Sequence, residues 1–146
     1  MKIHSLGHVV LKVRNLERSI AFYHDILGME EVARYRGAMV FFSFGSNHHD
    51  LALLQLGEHA AAPDPYGLGL YHVAFKVGDS LDELRECKSH LEKHGVTLTG
   101  MSDHAVSQSL YLADPDGNEI ELYVDADPAL WKDNVEALMT VKPLRL

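Results

Sequence analysis

The heptapeptide Gly7-His8-Val9-Val10-Leu11-Lys12-Val13 returns sixty-four residues later as Tyr71-His72-Val73-Ala74-Phe75-Lys76-Val77. His, Val, Lys and Val fall at matching places in an ungapped alignment. Such a repeat constrains the chain to two copies of one supersecondary unit, neither large enough to bury its own apolar face. Both heptapeptides alternate in the manner of a half-buried strand.

The segments after these strands are also repeated. Asn15 is placed to cap a helix over 16–27, with Glu17 and Arg18 in its first turn and Gly28 as the stop. In the second copy Asp79 or Ser80 caps a helix over 81–94 that ends at Gly95. There Leu81, Leu84, Cys87, Lys88 and Leu91 trace one amphipathic face. Strand-like runs come next, at 31–36, 38–44 and 50–56 in the first half and at 97–100, 107–113 and 119–124 in the second. Gly37, Gly45-Ser46-Asn47 and Asp114-Pro115-Asp116-Gly117 punctuate them. Each half reads βαβββ. The expected fold is therefore α+β: a single domain, 1–146, of two tandem modules forming a curved, partly open eight-stranded barrel. Module one covers about 1–57, a linker 58–69, module two 70–125 and a tail 126–146. The tail carries Asp127-Pro128-Ala129-Leu130-Trp131, read as a short helix packed back by Trp131.

Composition narrows the function. Apolar residues at 47% and charged residues at 23% exclude intrinsic disorder. A formal charge of −8 repels phosphate backbones, so no nucleic-acid partner is expected. No apolar run approaches the ~20 residues of a membrane span, and Met1-Lys2-Ile3-His4 does not begin a secretory leader. The lone Cys87 excludes a disulfide framework and fits a reducing, cytoplasmic setting; on an apolar helix stripe it reads as packed, not reactive. Against this ordinary background stand ten histidines, the side chain most used for metal ligation and for proton transfer near neutrality.

Three of the residues converge on a metal. The repeat puts His8 and His72 at equivalent points of the first strand in each half, facing the cleft if Val9 and Val73 face the helices. In the last strand, Glu121 sits between Ile120 and Leu122, a costly place for a carboxylate without a cationic partner. A single strand histidine is ordinarily structural. Two at repeat-equivalent positions with a core-strand Glu make the two-His, one-carboxylate set of non-haem Fe(II) oxygenases, which leaves coordination positions open.

These residues carry a resemblance. Gly7 to Val13 followed by Ser19-Ile20-Ala21-Phe22-Tyr23-His24-Asp25-Ile26-Leu27-Gly28-Met29, with the closing Asp114-Pro115-Asp116-Gly117-Asn118-Glu119-Ile120-Glu121, resembles the vicinal oxygen chelate superfamily over nearly the whole chain. That resemblance implies His8, His72 and Glu121 as the metal ligands. Glyoxalases, fosfomycin-modifying enzymes and dioxygenases share those motifs, so the reaction is read elsewhere. His104, a five-residue spacer, Leu110-Tyr111, Leu112-Ala113, Asp114-Pro115-Asp116-Gly117 and Glu121 resemble the motif of ring-cleaving extradiol, catechol 2,3-type dioxygenases. Ser102 departs from that motif. His48-His49-Asp50-Leu51-Ala52-Leu53 resembles the strand on which those enzymes carry an acid–base histidine, with His49 the better match and His48 the alternative; beside Gly45-Ser46-Asn47 both also fit plain turn histidines. The fourth carboxylate ligand of a glyoxalase belongs on the same strand, where only Gln55, and Glu58 just beyond, offer anything.

The resemblance thus implies an Fe(II)-dependent extradiol dioxygenase, with Mn(II) as a substitute metal, acting on an aromatic vicinal diol and O₂. His49 would move protons, and Tyr111 and His104 would donate hydrogen bonds to a substrate oxygen. A glyoxalase-like lyase, isomerase or thiol transferase would use Zn or Ni instead. A non-catalytic binder of aromatic ligands is the third alternative. A homodimer is expected by resemblance. His4, His24, His59, His90 and His94 are read as solvated.

Overall fold

Alternation along Val9, Leu11 and Val13 demands a sheet with one covered face, and such a face is what forms. A computed structural model describes residues 1–130, 132, 136 and 139–146. The chain makes two compact units, Met1–Pro65 and Tyr66–Leu146.

In the first unit, β1 (Val9–Val13), β2 (Glu30–Tyr35), β3 (Met39–Ser43) and β4 (Leu51–Gln55) form a sheet in the order β1-β4-β3-β2. Only β1 and β4 run parallel, in the register Val9↔Leu51 and Val10↔Ala52. Leu11, Val13, Leu51, Leu53, Val40 and Phe42 are buried with Leu16, Ile20, Phe22 and Tyr23 of the helical segment between β1 and β2. Each such side chain contributes roughly 1.5–3 kcal/mol by leaving water.

That segment departs from the single helix expected over 16–27. It is α1 (Leu16–Ile20) continued as a wider π-helical turn, Ala21–Ile26. The Leu27 N–H reaches back five residues to the Phe22 carbonyl at 3.0 Å. Within this wider turn the adjacent Phe22 and Tyr23 are both buried in the core. Asn15 caps α1 as expected, its Oδ1 accepting the Arg18 N–H at 3.0 Å.

The second unit repeats the plan. It is built from β5 (His72–Gly78), α2 (Leu81–Lys93), β6 (Leu98–Asp103), β7 (Ser107–Ala113) and β8 (Glu119–Asp125). Of the two candidate caps, Ser80 is the one used, accepting the Glu83 N–H at 3.3 Å, while Glu83 reaches back to the Asp79 N–H at 2.9 Å. The Asp79 N–H first, and the Ser80 hydroxyl donating at 2.7 Å second, hold the Glu83 carboxyl below its ordinary pKa. Leu84 and Leu91 of α2 are buried, Cys87 is half-buried, and burial pushes its thiol pKa up. Gly28 and Gly95 take the left-handed conformation that stops each helix.

The tail differs from its expectation. Pro128–Leu130 is one 3₁₀ turn, and Trp131 lies outside the described residues. A short strand, β9 (Lys142–Pro143), pairs with β6 and extends the second sheet to β5-β8-β7-β6-β9. Its proline is tolerated because β9 is an edge.

Each unit shows the βαβββ order read from the repeat, and the fold is α+β with few helices. Where a partly open eight-stranded barrel was expected, the hydrogen-bonded strands form two separate sheets: among the described residues β1 pairs with β4 alone and β5 with β8 alone. Among the described residues no helix is long and apolar enough to cross a membrane.

Candidate metal and acid–base site

The period of two along β8 sends Ile120, Leu122 and Val124 into the core and leaves Glu119 and Glu121 on the other face. The antiparallel neighbour β7 sets Tyr111 opposite Glu121, with Ser109 two residues away on the same face. The parallel neighbour β5 sets His72 beside Glu119 and Ala74 beside Glu121. Three strands thereby bring one imidazole, two carboxylates, a phenol and a hydroxyl to one face of the second sheet.

Glu121 is buried, and its partners account for that. Ser109 donates its hydroxyl to Oε1 at 2.6 Å, Tyr111 donates to the same oxygen at 3.3 Å, and His72 Nε2 stands 3.0 Å from Oε2. A desolvated carboxylate is costly without such donors. His104 Nε2 lies 2.9 Å from the Tyr111 hydroxyl. Because the phenol proton is directed to Glu121, His104 is assigned the tautomer that donates from Nε2. Burial first, and the Glu121 charge second, raise the Tyr111 pKa above its ordinary 10.0.

His104 is held by its turn. Its N–H bonds the Ser107 carbonyl at 2.9 Å, and Asp103 Oδ1 accepts the Ala105 N–H at 2.8 Å and the Gln108 side-chain amide at 3.2 Å. Ala105 adopts φ 64°, a left-handed value unusual for a residue with a Cβ.

In the first unit the histidines gather separately. The His8 ring lies 4.3 Å from that of His49 and 6.3 Å from that of His48. The Nδ1 atoms of His48 and His49 stand 2.6 Å apart. Phe41 meets His49 edge-on at 5.1 Å, and of the two turn histidines His49 is half-buried while His48 is exposed. Desolvation, then the His8 and His48 charges, lower the His49 pKa from its ordinary 6.5. His4, His24, His59, His90 and His94 are all exposed.

The structure thus joins His72, Glu121, Tyr111 and His104 in the second unit and His8, His48 and His49 in the first. Among the described residues no group of three His, Cys, Asp or Glu side chains is gathered closely enough to hold a metal. The donor chemistry at His72 and Glu121 nevertheless suits a divalent cation: an imidazole Nε2 and a carboxylate Oε2, the nitrogen and oxygen donors such ions take, lie 3.0 Å apart.

The strand that would carry a fourth carboxylate is also resolved. Aligning the repeat makes Val10 the counterpart of Ala74, and their sheet partners are Ala52 and Glu121. The first-half counterpart of Glu121 is therefore a fully buried alanine. Gln55 is committed elsewhere, its Oε1 accepting the Leu16 N–H at 2.8 Å at the start of α1, and Glu58 is an exposed partner of Arg18. Sequence reasoning missed Ser109 and Glu119. Both sit two residues before a recognised site residue on the same strand, and that period was the available signal.

The chain is 36% identical over 134 residues to a catechol-2,3-dioxygenase from Bacillus subtilis, covering 90% of this chain and 45% of that protein, so it spans about half that relative's length. It is 30% identical over 123 residues to the glutathione transferase FosA of Serratia marcescens, covering 84% of this chain and 82% of the relative. A solved lactoylglutathione lyase from Agrobacterium tumefaciens superposes with a TM-score of 0.67 at 27% identity, covering 90% of this chain and 99% of that one. A sequence model of one family matches residues 5–122. The chain belongs to the glyoxalase/bleomycin resistance protein/dioxygenase superfamily.

Proposed function

We propose that this protein is an Fe(II)-dependent extradiol dioxygenase that opens the ring of a catechol or related vicinal diol. The observation that carries it is the hydrogen-bonded run from His104 through Tyr111 to Glu121, a donor pair ending at a carboxylate that faces His72. His72 and Glu121, with His8 as the third ligand by resemblance, would hold the metal, and Mn(II) is the substitute. Bound there, Fe(II) supplies the redox chemistry that lets O₂ react with an organic diol, which Zn(II) cannot do.

The protein's own residues do the remaining work. His49, kept neutral below the usual histidine range by desolvation and by its imidazole neighbours, is a base ready to take a hydroxyl proton and later return it. Tyr111, kept protonated by burial and by Glu121, stays a donor throughout the working pH range. His104 donates to the Tyr111 oxygen and fixes the direction of that donor. A homodimer acting in the cytoplasm on a small aromatic diol completes the proposal.

One observation favours a second function, a non-redox lyase or thiol transferase using Zn or Ni. The chain covers most of the length of its transferase and lyase relatives but about half of the dioxygenase. Ala52 and the committed Gln55 weigh against the lyase, which needs a carboxylate from that strand. Retention of the metal-ligand residues weighs against a non-catalytic binder. Loading the chain with iron under argon and screening catechols for O₂ uptake and a yellow ring-opened product tests the proposal. Uptake with at least one catechol supports it; none across a broad panel, with isomerase or transferase turnover on Ni or Zn, replaces it with the second function.

A further inference from the structure

His72 stands between two carboxylates, not one. Its Nε2 is 3.0 Å from Glu121 Oε2, and its Nδ1 is 3.4 Å from Glu119 Oε1. Parallel pairing of β5 with β8 puts Glu119 directly beside His72, and the strand period puts Glu121 on the same face. Nδ1 is buried and makes no hydrogen bond, although the Glu119 carboxylate, on a side chain one-third exposed, lies only 3.4 Å away.

An imidazole can offer a lone pair from one nitrogen only while the other carries the proton. A ligand histidine needs a partner for that second nitrogen, and the partner sets both tautomer and ring orientation. We infer that Glu119 is that partner: a positioning carboxylate that accepts the Nδ1 proton of His72 and leaves the Nε2 lone pair for the cation. The inference rests on His72 being a metal ligand, as proposed above.

Among the described residues the first half of the repeat shows no matching histidine–carboxylate pair at His8. The counterpart of Glu119 is Asp50, whose Oδ2 already accepts the Phe44 N–H at 2.7 Å, and the rings nearest His8 are imidazoles. Orientation of the ligands by a carboxylate is accordingly a property of the His72 side, and metal affinity should depend on Glu119 although it is not itself a ligand.

Zn(II), which is diamagnetic, is the probe. Its affinity is measured by chelator competition for the wild-type chain, Glu119→Ala and Glu119→Gln, and imidazole proton and nitrogen spectra are recorded on each Zn-loaded protein. Glu119→Ala is expected to weaken Zn(II) binding by about 10–100-fold, the usual effect of removing such a partner. Glu119→Gln, which keeps an acceptor oxygen, should recover most of that loss. The His72 Nδ1 proton should be strongly deshielded in the wild type, present in the Gln variant and lost in the Ala variant. Zn(II) affinity in Glu119→Ala within twofold of the wild type, with the Nδ1 resonance unchanged, overturns the role of Glu119 alone. A wild-type chain that takes up no Zn(II) overturns the metal proposal beneath it.

Discussion

Nε2 of His72 faces Oε2 of Glu121 at 3.0 Å, an imidazole from the first strand of the second unit against a carboxylate from its last long strand. Ser109 and Tyr111 hold the other carboxylate oxygen, so the carboxylate is fixed before any cation arrives. Replacing Glu121 with Ala should abolish stoichiometric iron after desalting, measured by elemental analysis, while the chain remains folded by circular dichroism. An alanine variant with full iron would remove Glu121 from the ligand set.

Tyr111 and Tyr123 both have raised pKa values, in each case through burial first and a neighbouring carboxylate second. In an alkaline absorbance titration of the folded chain, Tyr111 and Tyr123 should ionise later than an exposed tyrosine. Tyr111→Phe should remove one of the two. The unfolded chain loses these protons near pH 10 and the folded chain loses them later, so stability falls as pH rises past 10. A titration in which Tyr111→Phe removes an ordinary tyrosine would contradict the buried donor.

His49 should matter to rate more than to binding. His49→Phe is expected to keep iron and substrate affinity and to slow turnover by about two to four orders of magnitude. Because its pKa lies below 6.5, the acidic limb assigned to His49 in the kcat/KM profile should fall below that value. If turnover survives within about threefold, the acid–base role passes to His48.

Gln55 is predicted to support structure and not the metal. Removing its Oε1 leaves the Leu16 N–H at the start of α1 without its 2.8 Å acceptor. Gln55→Ala should therefore cost about 1 kcal/mol in chemical denaturation and leave metal stoichiometry unchanged. Loss of metal with unchanged stability would reverse the assignment.

The repeat made most of the fold legible, because strand alternation and helix caps are local signals. Asn15, Ser80, Gly28 and Gly95 mark helix ends through chemistry a few residues long, and each is where it was expected. The π-helical turn was not legible. Its Phe22 and Tyr23 are buried with a sheet formed by residues far along the chain. β9 was missed for the same reason, since a two-residue edge strand containing Pro143 has no pattern of its own.

His72 was named from the repeat, Glu121 from its place on a core strand, and Tyr111 and His104 from the resemblance; the second unit brings the four side chains together. Glu119 was hidden inside the same closing motif. Its proximity to His72 depends on the parallel register of β5 and β8, which no local pattern encodes. Ala52 became informative only through that kind of register too, as the counterpart of Glu121.

Isotopically labelled O₂ tests the central claim most directly. Iron-loaded chain given labelled O₂ and a catechol that it consumes should place both oxygen atoms in the ring-opened product, detected by mass spectrometry. A product without label, or turnover of a thiol adduct with no O₂ consumed and with Zn or Ni fully replacing iron, would contradict the dioxygenase and leave the lyase or transferase in its place.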